Sequence, residues 1–306
     1  MSCLVLWAVH ISDGVLSWPF LLLGFVMAVG LASLASLRLQ AEEIPRIALL
    51  AAAFFVASSI HVKIGPTSVH LLLTGLVGVL LGFRAPLAVL LGITLQALLL
   101  NHGGILAIGV NACTEAIPAL ACGLLFALLR DCRSSLVRRL LVALGTFLVS
   151  LVFAVALCAL ATTPWGELWR WNAAGRLEVT PQSLEPLRQG WVWAVLGILT
   201  LASLAVDLPP RFSAGALAGL VGGLGTLSLT GLVLVLDGVE KWGVFVSGLL
   251  LVHLPLAVLE AVIVGALVRF LARVKPELIG LAADSAVIAS PSPPILPSGT
   301  EPSHLP

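Results

Sequence analysis

The sequence predicts an all-α membrane protein: a polytopic transmembrane helical bundle of about nine spans, within a range of about seven to nine. The composition and the spacing of apolar runs lead to this class. Of the 306 residues, 59% are hydrophobic and only 10% are charged, whereas soluble globular chains carry roughly 25% charged residues. Because so few polar side chains cannot cover the chain in water, it needs membrane lipid around it. The net charge of +1 gives no sign of a nucleic-acid partner.

Apolar runs of the length that a bilayer requires alternate with charged or Gly/Pro-rich breaks. A hydrocarbon core about 30 Å thick takes about 20 apolar residues per helix. Nine runs meet or approach this length: about 17–37, 45–62, 69–83, 85–100, 111–129, 138–162, 189–206, 213–235 and 243–270. The third and fourth runs are short and separated only by residues 82–84. Either they are tilted, or one of them is partly re-entrant.

The distribution of cations predicts the orientation of the bundle. If the first span starts outside, the inner connections hold Arg38, Arg46, Arg84, Arg130, Arg133, Arg138, Arg139, Arg211, Arg269, Arg273 and Lys275. The short outer connections hold only Lys63 and Lys241, and a long outer loop, 163–188, mixes arginines with acids. We predict a multi-pass protein of the cell (inner) membrane. Since Lys and Arg concentrate in cytoplasmic loops, its N-terminus should lie outside and its C-terminus inside, which requires an odd number of spans.

Three ranges divide the chain in this prediction. Residues 1–8 form an N-terminal extension that is too short to cross a bilayer and lacks the basic start of a signal peptide. Residues 9–275 form the transmembrane domain, including the outer loop. Residues 276–306 are rich in Pro and Ser and lack the periodicity of a packed element, which predicts a disordered cytoplasmic tail.

Four of the six histidines fall at the outer boundary of this topology, which is drawn without reference to them. His10 precedes the first span, His61 ends the second, His70 begins the third and His102 follows the fourth. Imidazole suits cobalt, nickel, copper and zinc, whereas magnesium and calcium take oxygen ligands. The cluster therefore indicates a transition-metal site. The alternative is that boundary histidines are merely tolerated where water reaches them.

Three further ionisable residues lie inside predicted spans, where such groups usually face the bundle interior. His253 and Glu260 are about two helical turns apart on one face of the last span, and Glu115 lies in the fifth. They form either a second metal or proton station or a buried contact that fixes packing. No phosphate-binding loop, H-E-x-x-H or G-x-S-x-G motif occurs, so the chain is not expected to be an enzyme.

Several motifs of the chain occur together in one known family: HISDGVLS at 10–17, GPTSVH at 65–70, the residues 96–98, 102–104 and 109–111, and the segment from His253 to Leu278. They resemble the CbiM/NikM family, the substrate-binding membrane components of energy-coupling-factor (ECF) transporters for cobalt and nickel. The resemblance covers about residues 9–130 and the last span. Residues 140–240 are less similar, and nine spans exceed the family's usual number.

The resemblance implies a function and a ligand set. Co²⁺ or Ni²⁺ would be imported as cargo, with no cofactor, and held by His10, His70 and the terminal amine and backbone nitrogen that correspond to Val9. His61 and His102 would lie beside these ligands and support them. The implied partners are a coupling transmembrane subunit, two cytoplasmic ATPase subunits and a small auxiliary membrane subunit. The metal would supply cobalamin biosynthesis or nickel enzymes.

One departure from the family touches this ligand set directly. Family members begin Met-His-Ile, whereas Met1 to Ala8 precede Val9 here. Either translation starts at Val9, or the extension is real and the site uses side chains alone or is altered. The alternative function is a stand-alone, ion-coupled secondary metal transporter with Glu115, His253 and Glu260 as its proton path.

Overall fold

Nine α-helices lie in the part of the chain that the computed structural model describes: residues 10–60, 62–64, 67–132, 134–162, 169–171, 177–179, 190–206, 208–238 and 243–281. They are α1 (Trp18–Ser36), α2 (Ile44–Ser59), α3 (Thr74–Leu81), α4 (Ala85–Leu100), α5 (Ile108–Leu129), α6 (Ser135–Thr162), α7 (Gly190–Leu204), α8 (Pro210–Asp237) and α9 (Gly243–Val274). Each predicted apolar run overlaps one helix, which confirms the all-α class. The extension 1–8, Val9, His61 and residues 282–306 lie outside the described residues.

Short hairpins and turns connect these helices. β1 (Val62–Ile64) pairs antiparallel with β2 (Thr67–Val69), and β3 (Trp169–Trp171) pairs in the same way with β4 (Leu177–Val179). The second hairpin lies within the predicted outer loop. The first ends directly before His70 and so positions a candidate ligand. Turns of 3₁₀ helix cover Ala41–Glu43, Gly82–Arg84 and Pro276–Ile279.

The helix surfaces are those of an integral membrane protein. Within the described residues, six segments are long and apolar enough to cross a membrane: Trp18–Ser36, Thr74–Leu100, Ile108–Leu129, Ser135–Val152, Pro210–Asp237 and Val252–Val274. Large apolar side chains such as Phe25, Leu49 and Leu128 are exposed on the outside of the bundle. Lipid can cover such a surface, because the helices satisfy their own backbone hydrogen bonds. The number of spans and their orientation stay predictions.

The third predicted run, 69–83, is helical over only part of its length. α3 has eight residues, about 12 Å of helix, well short of a hydrocarbon core about 30 Å thick. The preceding residues 70–73 are irregular, and Leu73 has a positive φ of 53°. α3 is therefore too short to cross a bilayer by itself, and it forms one continuous apolar segment with α4, Thr74–Leu100. The choice between tilted helices and a partly re-entrant segment stays a prediction. Irregular backbone at membrane depth requires burial in protein or contact with water, and this stretch lies beside the candidate site.

Close packing at the centre of the bundle depends on small residues. A Cβ added at Gly75 in α3 would lie 2.5 Å from the Cα of Gly219 in α8. One added at Gly219 would lie 2.9 Å from the Cα of Ala261 in α9. Small residues allow such close backbone approach within membranes. The helices α3, α8 and α9 therefore form a tight centre, while α7 packs on α6 at the side.

Arg84 joins several predicted inner connections at one end of the bundle. Its guanidinium donates to the carboxylate of Glu43 at 3.0 and 3.1 Å and to the carbonyl oxygens of Ala35, Leu37 and Arg38 at 2.7–3.0 Å. The end of α1, the start of α2 and the turn before α4 thus meet. This agrees with the prediction that the connections bearing Arg38, Arg46 and Arg84 lie at a common end.

The segment after α9 is ordered further than its composition predicts. Pro276–Ile279 form a 3₁₀ turn, and Ile279 is buried. Arg46 donates to the carbonyl oxygen of Leu278, and Arg130 donates to that of Ile279 at 3.2 Å. The prediction that the disordered tail begins at residue 276 was therefore wrong, because two guanidinium groups and one apolar contact hold its first residues. For residues 282–306 it stays a prediction.

Candidate metal centre

Three histidines from distant parts of the chain meet at the other end of the bundle. His10 precedes α1, His70 follows β2 and His102 lies in the turn after α4. The ring centroids of His10 and His70 are 5.2 Å apart, and that of His102 is 4.7 Å from the first and 5.3 Å from the second. One nitrogen from each ring lies within 4.8 Å of the others. His10 and His70 are buried, and His102 is half-buried.

The spacing of these nitrogens suits a shared transition-metal ion. A metal–imidazole bond is about 2.0–2.1 Å long, so two nitrogens on one ion lie about 3–4 Å apart. Because the nitrogens lie within 4.8 Å of one another, small rotations of the side chains would bring them onto one ion. Since two rings are buried and the third is half-buried, an ion would be reached from the side of His102.

Asn111 fixes the backbone beside His10. Its Nδ2 donates to the carbonyl oxygen of Ile11 at 2.9 Å, and its Oδ1 accepts the N–H of Ile11 at 2.8 Å. Both residues are buried, and Asn111 lies in the first turn of α5. The paired bonds give both backbone groups of Ile11 a partner. A buried backbone group without a partner would be costly. They therefore set the place of the residue that follows His10.

Asp13 attaches the same segment to the start of α5. Its carboxylate accepts the N–H groups of Ile105, Leu106 and Ala107 at 2.9–3.2 Å. These N–H groups belong to the turn that leads into α5, and negative charge at the start of a helix is favourable. Farther along, the N–H and hydroxyl of Ser17 donate to the carboxylate of Asp237 at the end of α8, at 2.7–2.8 Å. The HISDGVLS motif is thus held at three points.

Glu115 places a carboxylate next to His10, about one helical turn beyond Asn111. Its Oε1 lies 3.6 Å from Nδ1 of His10, and both side chains are almost wholly buried. The hydroxyl of Thr74 donates to the other carboxylate oxygen at 3.3 Å. A carboxylate at one ring nitrogen orients an imidazole and leaves the other nitrogen available to a metal. Glu115 is therefore suited to direct Nε2 of His10 toward the cluster.

Glu260 of α9 supports the irregular backbone after His70. Its Oε1 accepts the N–H groups of Leu72 and Leu73, the second at 3.0 Å. Buried backbone donors outside helices require such partners. Of the two interpretations left open for Glu260, the structure thus supplies contacts for the one that fixes packing. His253 lies 2.9 Å, through Nδ1, from the carbonyl oxygen of Leu249 in its own helix, and it is not among the three clustered histidines.

The structure brings together three of the five predicted site residues. His10, His70 and His102 meet, whereas Val9 and His61 lie outside the described residues. The resemblance placed His102 beside the ligands, but its ring is as close to His10 as that of His70 is. The sequence alone does not predict the roles of Asp13 and Asn111, although both lie in motifs that resemble the family.

Comparison with protein families gives matches to metal-uptake proteins. The model of the CbiM family, described as the cobalt uptake substrate-specific transmembrane region, matches residues 10–179 and 189–278. A Haemophilus influenzae protein assigned to metal transport is 41% identical over 150 residues, which are 49% of this chain and 73% of that protein.

Two further relatives are matched over less than half of their own length. A fused nickel transport protein, NikMN, assigned in Archaeoglobus fulgidus is 32% identical over 111 residues, 35% of this chain and 38% of the relative. The cobalt transport protein CbiM of Anoxybacillus flavithermus is 34% identical over 119 residues, 36% of this chain and 48% of the relative. The activities in these names are those of the relatives.

Two crystal structures of transition metal transporters, one of them truncated, have a similar fold. Their TM-scores are 0.52 and 0.50, at 20% and 19% sequence identity. The similarity covers 87% and 86% of this chain, and 93% and 97% of the two solved chains. At such low identity the likeness concerns the fold alone.

Proposed function

The chain belongs to the CbiM family, the substrate-specific transmembrane region of cobalt uptake, and we propose that it captures Co²⁺ or Ni²⁺ on His10, His70 and His102 for import. The observation that carries this proposal is the meeting of three imidazoles, two of them buried, with nitrogens within 4.8 Å. Nitrogen donors of this kind select late transition metals over magnesium and calcium. The role is that of a transport component rather than an enzyme.

The three side chains form an incomplete coordination sphere, which is appropriate to cargo that must leave again. Three protein ligands keep a further position open for water or another donor, as in catalytic zinc sites. Where the chain begins at Val9, its amine and backbone nitrogen would add to the set, as the family resemblance implies. Where it begins earlier, the histidine side chains supply the protein ligands, and Glu115 orients His10 among them.

The energy for import would come from separate subunits. The sequence contains no phosphate-binding loop, and the family resemblance implies a coupling transmembrane subunit, two cytoplasmic ATPase subunits and a small auxiliary membrane subunit. We place the assembly in the inner membrane, with cobalamin biosynthesis or nickel enzymes as the users of the metal.

Calorimetric titration of the purified full chain with CoCl₂ and NiCl₂ tests metal capture. We expect His10→Ala, His70→Ala and His102→Ala each to weaken binding by more than about a hundredfold, since even residues that only support ligands are worth 10–100-fold. His304→Ala, a histidine in the predicted tail, is the matched control and should bind normally. Undiminished binding by His70→Ala would contradict the proposal.

Glu115→Gln tests the orienting role with little change in volume. The amide keeps an acceptor for Thr74 but removes the negative charge from Nδ1 of His10, so affinity should fall by about tenfold. An unchanged affinity would remove Glu115 from the site.

Metal uptake in cells that lack the coupling and ATPase subunits tests the energy source. The proposal expects no uptake there. Uptake that persists without these subunits and is abolished by a protonophore would instead support a stand-alone, ion-coupled transporter.

A further inference from the structure

The peptide group between Leu71 and Leu72 connects a candidate metal ligand to a distant helix. Its carbonyl oxygen lies 3.3 Å from Nδ1 of His70, and its N–H donates to Oε1 of Glu260 in α9. A peptide group is planar, and its C–N bond does not rotate freely. The hydrogen bond on one side of this group therefore fixes the position of the oxygen on the other side.

The contact to Nδ1 decides which ring nitrogen of His70 is available to a metal. A carbonyl oxygen can only accept, so Nδ1 carries the hydrogen when it bonds to Leu71. The other nitrogen, Nε2, then keeps its lone pair for a metal. Metal-binding histidines usually donate their second ring N–H to a carboxylate or a backbone carbonyl. The carbonyl of Leu71 thus serves His70 as the carboxylate of Glu115 serves His10.

Glu260 orients this peptide group where regular secondary structure does not. Residues 70–73 lie in no helix or strand, and Leu73 has a positive φ of 53°. The same Oε1 accepts the N–H of Leu73 at 3.0 Å, so one carboxylate oxygen holds two successive backbone donors. A hydrogen bond from the N–H to a carboxylate also polarises the C=O of the same peptide group and makes that oxygen a better acceptor.

The carboxylate of Glu260 is enclosed by protein. The residue is 1% exposed. A Cβ added at Gly223 in α8 would lie 3.4 Å from Oε2 of Glu260, and one added at Gly219 would lie 3.0 Å from its carbonyl oxygen. Small residues let α8 and α9 approach closely here. Because the carboxylate has so little room to move, it can define where the peptide group lies.

We propose that Glu260 is a positioning residue of the metal centre, which orients the ring of His70 through the peptide group between Leu71 and Leu72. The role rests on the proposed metal capture and adds a second supporting acid to it. Glu115 contacts its histidine directly from α5, whereas Glu260 acts from α9 across one peptide group. Neither acid is a ligand in this arrangement. Metal affinity therefore depends on the position of α9 relative to the stretch before α3.

The variants Glu260→Gln and Glu260→Asp separate reach from charge. Glutamine keeps an acceptor oxygen at the same distance from the backbone for Leu72 and Leu73, whereas aspartate keeps the charge but is one methylene shorter. Calorimetric titration with CoCl₂ and NiCl₂ should give an affinity within about threefold of wild type for Glu260→Gln. Binding to Glu260→Asp should be about tenfold weaker.

Glu42→Asp is the matched control for these titrations. It makes the same change at an exposed position at the other end of the bundle and should bind normally. Equal affinities of Glu260→Gln and Glu260→Asp would overturn the proposal. So would weaker binding by Glu260→Gln than by Glu260→Asp, because Glu260 would then act through its charge, as a metal ligand or a proton carrier.

Nitrogen-15 NMR of the imidazole rings in the metal-free full chain tests the orientation without metal binding. The signals of His70 are identified by their absence in His70→Ala. At a pH at which the ring is neutral, they should show the hydrogen on Nδ1 in the wild type and in Glu260→Gln. Glu260→Asp should gain a substantial share of the form with the hydrogen on Nε2. An unchanged tautomer in Glu260→Asp would overturn the proposal, since a residue with only a packing role changes the Tm and leaves the tautomer as it is.

Metal capture and the role of Glu260 fail in different ways. Normal metal binding by His70→Ala would contradict metal capture by the histidine cluster. Weakened binding by His70→Ala together with normal binding by Glu260→Asp would leave metal capture in place and overturn the role of Glu260 alone.

Discussion

At the two ends of this helix bundle, the long-range hydrogen bonds between charged side chains and the backbone run in opposite directions. At the histidine end, the acidic side chains of Asp13 and Glu260 accept backbone N–H groups from chain that has not yet become helical. At the arginine end, Arg84 and Arg130 donate to backbone carbonyl groups where helices have finished. At each end, charged side chains thus provide partners for backbone N–H or C=O groups that lack one near the helix termini. The acidic residues do so around the metal-binding rings, and the arginines do so around the connections.

This difference between the two ends separates residues that we expect to affect metal binding from residues that we expect to affect stability. The histidine rings depend on a few polar contacts between residues about a hundred or more positions apart, such as Ile11 with Asn111. Loss of one of these contacts should displace a ligand while the packed helices stay in place. The arginine contacts join helix ends to one another, so their loss should loosen the bundle and leave the rings in position.

The largest effect is expected from Asn111→Ala at the histidine end. The change removes both hydrogen bonds to Ile11, so the backbone next to His10 loses this support while the contacts of Asp13 and Ser17 remain. Metal affinity should fall by about a hundredfold in calorimetry, since supporting contacts of metal ligands are worth 10–100-fold. Thr146→Ala, a hydroxyl on α6 that bonds only within its own helix among the described residues, is the control. Normal metal affinity in Asn111→Ala would contradict the distinction between the two ends of the bundle.

A smaller effect, of the opposite kind, is expected from Arg84→Ala at the arginine end. The change leaves the carbonyl oxygens of Ala35 and Leu37 and the carboxylate of Glu43 without this donor. Unfolding free energy should fall by about 2 kcal/mol, since hydrogen bonds from charged groups are worth about 1.5–3 kcal/mol. Thermal unfolding measures this loss, and Arg269→Ala, an exposed arginine, is the control. Normal stability combined with weakened metal binding would reverse the assignment.

The smallest effect is a pH dependence at the same contact. Hydrogen bonds from Arg84 hold the pKa of Glu43 below its usual value, so folding favours the ionised carboxylate. Its stabilising contribution is complete above the unfolded-state pKa and is lost as pH falls through the lower folded-state pKa. The Tm difference between wild type and Glu43→Gln should therefore shrink below about pH 4. The control Glu42→Gln keeps the Arg84 contact, and a difference independent of pH would argue against the ion pair.

The sequence predicts the helices well because one local property, a long run of apolar residues, defines them. Apolar runs broken by charges or by Gly and Pro locate all nine helices of the described residues. The exception is the start of the third run, where residues 70–73 are irregular although they are as apolar as a helix. Hydropathy cannot distinguish helical from irregular backbone there. The N–H groups of the irregular stretch find their acceptor in Glu260, which lies 187 and 188 positions away in the sequence.

The candidate site is predicted only in part, for a related reason. Histidine is rare in this chain, so its placement at span boundaries identifies the rings. The residues that position them are a carboxylate and an amide whose partners lie about a hundred positions away, at Ala107 for Asp13 and at Ile11 for Asn111. Their residue types are compatible with many roles. The contact between Glu115 and His10 likewise joins residues that are distant in the sequence, so it cannot be predicted without the fold.

X-ray absorption spectroscopy of the nickel- or cobalt-loaded full chain tests the central claim most directly. The account predicts nitrogen neighbours at about 2.0–2.1 Å, together with the outer scattering of imidazole rings. That scattering should decrease in His102→Ala, loaded at a metal concentration that overcomes its weaker affinity, and should be unchanged in His304→Ala. A metal surrounded by oxygen atoms, without imidazole scattering in the wild type, would contradict the assignment of His10, His70 and His102 as the residues that hold the cargo.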